Sequence, residues 1–560
     1  MKNLLKISSL IIGFLLLANN CFALLDADTI FEFRSTATAN MVNGGGFNST
    51  AVSAGTDYST QDAAQLALTD LANLSASTTL TSVTGGFTAA MVGNIIHIAS
   101  GTNFIAGWYE ITAYTDTNTV TIDRTANASL NASVGVGKVG GSLNVGGSLE
   151  DDFFEEISGA NATDGITVYF YNNASTSTVT FTPSEAITIT GAGGTQAPIK
   201  IIGYKTTRGD NPTGTSRPTI ACGVSTLALG VNFELYNLIL TGTGNPVLGD
   251  STNGKIINCK FTNSSTTADR NATLLDAIDS LAYNCEGVSY RGRALSISGA
   301  GNMVIACYLH NSNVGLNISS GTSGAILNNL IESNVTGAIG NVSATTVRIT
   351  IVGNTLYGSE QKTGTGINLI TTTTDIFVLN NIIYGFVTGV SHADTQTIVY
   401  LDYNDYFNNT TNRTNVATGS NDQALDPTFT SVAQVTGTTA TYAGSTLTDA
   451  AANFSNVVDD QDFVLIVSGT GLTTANCQYL ITSHTATTVT TSQDAGESSA
   501  SNWVHQVTTG RNFAIGTNLK ALGFPGAFQA GLTTGYMDIG AVQRQEAGGG
   551  GGRGARFINN

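Results

Sequence analysis

From residue 255 to 406 the chain runs in short stretches of alternating apolar and polar positions, each broken by Asn, Gly or Asp. A period of two predicts strands with one buried face. The stretches repeat. Aligning them on IINCKF (256–261) brings YNCEG (283–287), IACYL (305–309), LNNLI (327–331), VGNTL (352–356), LNNII (379–383) and DYNDY (402–406) into one frame. The central column then reads Cys259, Cys285, Cys307, Asn329, Asn354, Asn381 and Asn404, at spacings of 26, 22, 22, 25, 27 and 23 residues. Two residues earlier stand Ile257, Tyr283, Ile305, Leu327, Val352, Leu379 and Asp402. Two residues later stand Phe261, Gly287, Leu309, Ile331, Leu356, Ile383 and Tyr406. Alternation predicts that all three columns share one inward strand face.

A further strand follows each turn: GRALSI (292–297), VGLNI (314–318), GINLI (366–370) and TGVSH (388–392). Two or three short strands per repeat make one coil of a solenoid. Coils stacked about 4.8 Å apart place equivalent side chains on top of one another. Stacked Asn side chains can then pass a hydrogen bond from each amide to the next carboxamide oxygen. The cysteines of the same column admit two readings. They are buried thiols behaving as small apolar groups, or they are bridged between coils whose Cα spacing permits a disulfide. Past residue 23 the chain carries Cys222, Cys259, Cys285, Cys307 and Cys477, an odd number, so at least one is unpaired. The thiol ladder is the reading carried forward.

A second repeat lies outside the ladder. TLTSVTGGF (79–87), NIIHIASGTNF, WYEITAY and NTVTI (118–122) match TLTDAAANF (446–454), DFVLIVSGTG, QYLITSH and TTVTT (487–491). Alternating strands between Gly, Asn and Asp turns predict a small β-sandwich or barrel used twice. Trp108 lies in the first copy and Trp503 just beyond the strands of the second; both are expected to be core side chains.

The φ-x-[Asn/Cys]-x-φ coil motif resembles the right-handed parallel β-helix superfamily of pectate-lyase-like solenoids, over roughly residues 150–430. The acidic SLEDDFFEEI (148–157), expected as a short amphipathic helix over the first coil, is similar to the start of such solenoids. So are APIKIIGYKTTRGDNPTGTSRPTI (197–220) and the closing stretches DPTF (426–429) and GYMDIGAVQRQ (535–545). The fold class is therefore all-β: a right-handed parallel β-helix (β-solenoid) with two small duplicated β-sandwich or barrel-like modules. The expected organisation is 1–23 export signal, 24–76 N-terminal segment, 77–142 first module, 148–430 parallel β-helix, 440–508 second module, 509–545 closing segment and 546–560 Gly-rich tail.

Composition sharpens the setting. MKNLLKISSLIIGFLLLANNCFA (1–23) has a basic start, an apolar run and a small-x-small site, the pattern of an export signal. No later run reaches the roughly 18 apolar residues of a membrane span. A secreted or cell-surface location is expected. Without Lys2 and Lys6 the chain holds 20 basic and 39 acidic residues, a formal charge of −19. So acidic a chain repels nucleic acid and anionic membranes, which excludes both as partners. Charged residues are only 11% of the chain, while Thr, Asn, Ser and Gly abound, as suits short strands and tight turns. Sequons such as Asn317, Asn334 and Asn341 permit glycosylation.

Candidate chemistry is sparse. The resemblance implies either a lyase, with carboxylate-held calcium beside an Arg or Lys base, or a hydrolase with clustered Asp residues. The nearest match is Arg291 and Arg293 with Glu286 on the same coil and His310 on the next, as base and carboxylate clamp. A second group, Asp394, Asp402 and Asp405 near His392, would hold Ca2+. No phosphate-loop, CxxC or nucleophile-elbow motif stands in a supporting context. Five histidines in 560 residues argue against histidine-centred chemistry. Two functions follow. One is a structural, adhesive solenoid that binds glycans or cell-surface polysaccharide and self-associates into fibres. The other is a polysaccharide lyase or glycoside hydrolase acting on acidic polysaccharide, with calcium as its cofactor if it is a lyase.

Overall fold

In the computed structural model the described residues are 30–34, most of 66–144, 167–172, 180–182, 187–191, most of 198–342, 348–358, 362–370, 375–393, 399–430, most of 435–506 and 513–519, and 539–541. The expected export signal, the 148–157 helix, most of GYMDIGAVQRQ and the Gly-rich tail lie outside them. The chain divides into two compact units. One comprises 1–148, 152–171 and 189–201; the other holds most of the remainder from residue 172 onward.

The second unit is a parallel β-helix. Each coil contributes one strand to each of three parallel sheets, here called faces one, two and three. Within this unit face one carries the strands Phe233–Tyr236, Lys255–Ile257, Leu281–Tyr283, Asn302–Ile305, Ser323–Leu327, Arg348–Val352, Ile376–Leu379 and Val399–Asp402. Face two includes Lys260–Asn263, Glu286–Ser289, Tyr308–His310, Leu330–Glu332, Thr355–Tyr357, Ile382–Tyr384 and Asp405–Phe407. Face three includes Arg293–Ile297, Val314–Ile318, Gly337–Val342, Thr365–Leu369 and Thr388–His392.

The core is built of stacked aliphatic columns. Val304, Ile326, Ile351 and Val378 pair in register on face one, and Leu295, Leu316, Ile339, Ile367 and Val390 on face three; all are buried. The expected ladder runs between faces one and two. Cys259, Cys285 and Cys307 are buried free thiols, and no disulfide occurs among the described residues. Below them Asn329 Nδ2 donates to Asn354 Oδ1, Asn354 to Asn381 and Asn381 to Asn404, each at 2.9 Å. Each amide also donates to a backbone carbonyl of the preceding coil, and each Oδ1 also accepts the backbone N–H one coil earlier. The series ends on Asp422, whose Oδ1 accepts from the Asn404 backbone N–H at 3.0 Å while its Oδ2 accepts from Arg413 and Gly419. The side-chain-to-side-chain bonds run towards the C-terminal end, and the series closes on a carboxyl oxygen that accepts.

One expectation is corrected. The column Ile257, Tyr283, Ile305, Leu327, Val352, Leu379 and Asp402 points outward, not inward; Tyr283 is 44% exposed and the others are half-buried. The residue just before each ladder position explains it. Asn258, Asn284, Ala306, Asn328, Gly353, Asn380 and Tyr403 all have φ between 52° and 69°. One left-handed residue turns the chain from face one to face two and breaks the period-two count across the join. The inward partner is one residue earlier: Ile256, Ala282, Val304, Ile326, Ile351, Val378 and Leu401, all buried.

The two repeats outside the ladder each form a closed, six-stranded antiparallel barrel. The first unit's barrel begins at Leu66, earlier than the repeat predicted, because the strand Leu66–Asn73 precedes the matched segment. The second barrel likewise starts with Val435–Ala443. In the strand Phe463–Thr470 all of the first four side chains are buried. Val464 and Ile466 enter the barrel core with Trp503, whose Nε1 donates to Asp449 Oδ2 at 2.8 Å. Phe463 and Leu465 point the other way, onto the solenoid. Phe463 meets Tyr290 edge-on at 5.3 Å and packs on Val288, and Leu465 packs on Val335 beside Val504. Gln478 Nε2 donates to Ser312 O at 3.1 Å across the same seam. The side chain of Trp108 lies outside the described residues.

Candidate functional site

The outer surface of face two is partly covered. At its C-terminal end, Phe429 and Phe513 pack on Leu330, Tyr357 and Tyr384, and Ile515, Leu519 and Ile539 pack on Ile382. Along its edge towards face three, Phe463 of the second barrel covers Val288. Between these covers lies a polar cluster.

Its centre is Glu286. Register pairs Glu286 with Lys260 on one side and Tyr308 on the other, while Val288 pairs with His310 and His310 with Glu332. Stacked strands therefore bring side chains 22–26 residues apart to neighbouring points. Glu286 Oε1 receives Lys260 Nζ at 2.7 Å and lies 3.1 Å from His310 Nε2; Arg217 Nη2 stands 4.0 Å from Oε2. Tyr308 stacks on the His310 ring with centroids 4.0 Å apart, and its hydroxyl donates to Glu332. His310 and Glu332 are buried, whereas the Lys260 side chain keeps 34% exposure. Burial works against the ionised form of Glu286. The Lys260 ammonium and the His310 hydrogen bond outweigh it and hold the carboxyl well below the usual carboxylate range. At neutral pH Glu286 is thus an acceptor and not a proton donor.

Of the four residues first singled out for catalysis, the fold joins two. Glu286 and His310 touch, but Arg293 opens a strand of face three, where its Nη1 donates to Asn271 Oδ1 at 3.4 Å, and Arg291 lies in the turn before it. The cations that do meet Glu286 are Lys260 and Arg217. Lys260 was legible in principle: Lys260, Glu286 and Tyr308 each follow a ladder cysteine directly. Arg217 belongs to an earlier coil, before the repeat becomes readable.

The proposed calcium ligands separate. Asp394 lies outside the described residues. Asp402 is on face one, not in the inward column; its Oδ1 accepts from Asn421 N at 2.7 Å and Tyr403 N at 3.0 Å, and its Oδ2 from Asn421 Nδ2 at 2.9 Å. Asp405 is on face two, where Oδ1 accepts from Leu425 N at 2.8 Å and Oδ2 is buried without a partner. Burial pushes the Asp405 carboxyl up to about 7, against the pull of the Leu425 N–H and with the Asp426 charge adding to the rise. Both side chains hold the loop 419–425 over the last coil, and Gln423 bridges in parallel to Asp405. Among the described residues no group of three His, Cys, Asp or Glu side chains is placed to hold a metal ion.

No protein-family description matches the chain, and no curated relative does. Solved structures similar to it include pectate lyase Pel9A, at 13% identity and a TM-score of 0.35, covering 69% of this chain and 90% of that one. The Gp54 tailspike of Acinetobacter baumannii bacteriophage AP22, solved with a capsular saccharide, is similar at 9% identity and a TM-score of 0.23, covering 80% and 84%. The catalytic domain of a GH87 alpha-1,3-glucanase, with nigerose, is similar at 11% identity and a TM-score of 0.22, covering 62% and 87%. At these identities the likeness is one of fold.

Proposed function

We propose that this chain is a secreted or cell-surface β-solenoid with a structural and adhesive role, binding glycan at the face-two cluster. The observation that carries the reading is the Lys260–Glu286 pair between two covered stretches of the same face, with Tyr308 at the edge of the Leu330, Tyr357 and Phe513 cover. An ammonium and an ionised carboxylate side by side offer a donor and an acceptor to neighbouring sugar hydroxyls, and an aromatic ring offers a flat face to sugar C–H groups. The basic-apolar-small pattern of residues 1–23 supports export. No described helix is long and apolar enough to cross a membrane. Self-association into fibres belongs to the same proposal, and Gln423, which bridges the last strand of face two, limits how that end can add a strand.

A second reading, a lyase or hydrolase on acidic polysaccharide, draws on one observation: Arg217 and Lys260 lie close enough together on Glu286 to clamp a uronate carboxylate beside His310 as base. Titration against a panel of neutral and acidic polysaccharides separates the two. The adhesive reading expects binding that Lys260→Ala and Tyr308→Ala weaken at least tenfold, with no change in the polymer. No binding by the full chain to any glycan defeats it. Unsaturated uronide release in the presence of calcium, lost in Lys260→Ala or His310→Ala, establishes the enzyme instead.

A further inference from the structure

One peptide bond in the closing stretch DPTF gathers groups that the glycan site does not use. Asp426–Pro427 is the only Asp–Pro bond in the sequence, and the fold grips it from both sides. Upstream, Leu425 N donates to Asp405 Oδ1 at 2.8 Å. Downstream, Phe429 meets Tyr357 and Tyr384 edge-on, and Thr430 N donates to Ala514 O at 3.3 Å. Between these anchors Asn518 Nδ2 donates to Asp426 O, the carbonyl oxygen of that bond, at 3.1 Å. Asp426 Oδ1 accepts from Thr428 N at 2.8 Å, so the carboxylate leans to the C-terminal side of its own Cα, beside the carbonyl carbon. Thr428 itself is β-branched yet has φ 45°, a left-handed conformation that such a side chain adopts only under constraint. Strained backbone of this kind collects where a structure does chemistry.

We propose that the chain cleaves itself at Asp426–Pro427. A side-chain oxygen of Asp426 that adds to its own carbonyl carbon closes a five-membered ring, and no second molecule has to be met. The carbonyl π pair moves to the oxygen that Asn518 Nδ2 already faces, where a donor stabilises the developing charge. Collapse then breaks the C–N bond. The Pro427 nitrogen keeps the bonding pair and takes a proton from solvent, leaving as a secondary amine, more basic than the primary amine of any other residue. Water opens the cyclic anhydride left on Asp426, which regenerates the side-chain carboxyl and makes a new C-terminal carboxyl. One water is consumed and one peptide bond lost. The two pieces remain packed, with Phe463 on Tyr290 and with Phe513, Ile515 and Leu519 on face two. Cleavage thus turns a covalent tie between the solenoid and its second barrel into a packed joint.

The test holds the full chain in mildly acidic buffer, about pH 5, once folded and once in urea, and follows it by denaturing mass spectrometry and N-terminal sequencing. A new N-terminus at Pro427 is expected, formed about tenfold or more faster in the folded chain, because urea removes Asn518 and Thr428 from the bond. Asn518→Ala slows the folded chain roughly tenfold. Asp426→Glu keeps the charge but must close a six-membered ring, and cuts about tenfold slower; Asp426→Asn, with no carboxylate, cuts about a hundredfold slower. Unchanged Trp503 emission reports that each variant is folded. Cleavage no faster in the folded chain than in urea is the ordinary acid lability of an Asp–Pro bond and overturns the proposal. A folded chain that stays intact overturns it as well, and so does an Asp426→Glu or Asp426→Asn chain that is cut as fast as the parent.

Discussion

Replacing Asn354 by Ala tests whether the ladder is a hydrogen-bonded series or a column of volume-matched side chains. The amide of Asn354 donates to Ile326 O and Asn381 Oδ1, and its oxygen accepts from the backbone N and the Nδ2 of Asn329, all at 2.9 Å. After truncation Asn381 Oδ1 still receives the Asn354 backbone N–H, and Asn329 Nδ2 still reaches Val304 O. The Asn329 backbone N–H is left with nothing, inside the core. One orphaned buried donor costs about 1–3 kcal/mol, and the three further lost bonds about 1 kcal/mol each, so the substitution costs about 4–6 kcal/mol. Cys285→Ala, in the same column, removes one sulfur and weak contacts for about 1 kcal/mol. Solenoid coils touch only their neighbours, so the damage stays local. Hydrogen exchange is the assay, because a chain with two barrels need not unfold in one step. Amides of 326–331 and 349–357 are expected to exchange roughly 10³–10⁴-fold faster in Asn354→Ala, and those of 256–261 and 281–288 less than tenfold faster in Cys285→Ala. The strand Phe463–Thr470 serves as the internal control. Equal acceleration in the two variants refutes the hydrogen-bond account and leaves packing as the ladder's only role.

Three further outcomes follow from single groups. Asp405 has a folded-state pKa of about 7, above its unfolded value near 3.9, so the folded chain binds the extra proton. Its contribution makes the last coil less stable as pH rises from about 4 to 7 and constant above; urea unfolding at pH 5 and pH 8 should show the difference in the parent and lose it in Asp405→Asn. A parent that is equally stable at both values contradicts the buried neutral carboxyl. Cys259 and Cys307 are buried, and burial pushes their thiols up; a thiol reagent should label them only in denaturant, and labelling of the native chain would show that the core opens. Phe463→Ala removes the ring that meets Tyr290 while leaving the barrel core alone, so exchange near 288–290 should quicken with Trp503 fluorescence unchanged. A shifted Trp503 spectrum would mean that barrel folding and docking are one event.

The coil repeat was readable because its ladder position tolerates few side chains: a small thiol or an amide that bonds to its own kind. The coil before Cys259 went unread since Leu238 fills the same buried position, and Leu is common enough to carry no signal. The orientation of the preceding column was misread for a different reason. Period-two counting holds only along a continuous strand, and Asn258 and its equivalents interrupt it with φ near 55°. Asn recurs at that position in four of the seven coils, and Asn is among the few side chains that tolerate the left-handed region, so the turn was written in the sequence one residue away from the column that was read.

The site was less legible than the fold because its members are set by stacking, and stacking joins residues by coil and not by sequence distance. Arg291 and Arg293 stand near Glu286 in the chain but cross a corner onto face three, whereas Lys260, a full coil earlier, reaches Glu286 at 2.7 Å. The useful reading frame is therefore the position relative to the ladder: one residue after it points outward on face two, two residues after it points inward. In that frame Lys260, Glu286 and Tyr308 form one outward column. It continues as Leu330, Thr355 and Ile382 just where Phe429, Phe513 and Ile515 supply an apolar cover. The change from charged to apolar along one column marks where the solenoid stops facing outward and starts packing against its own C-terminal segment, and the polar cluster is what that cover leaves open.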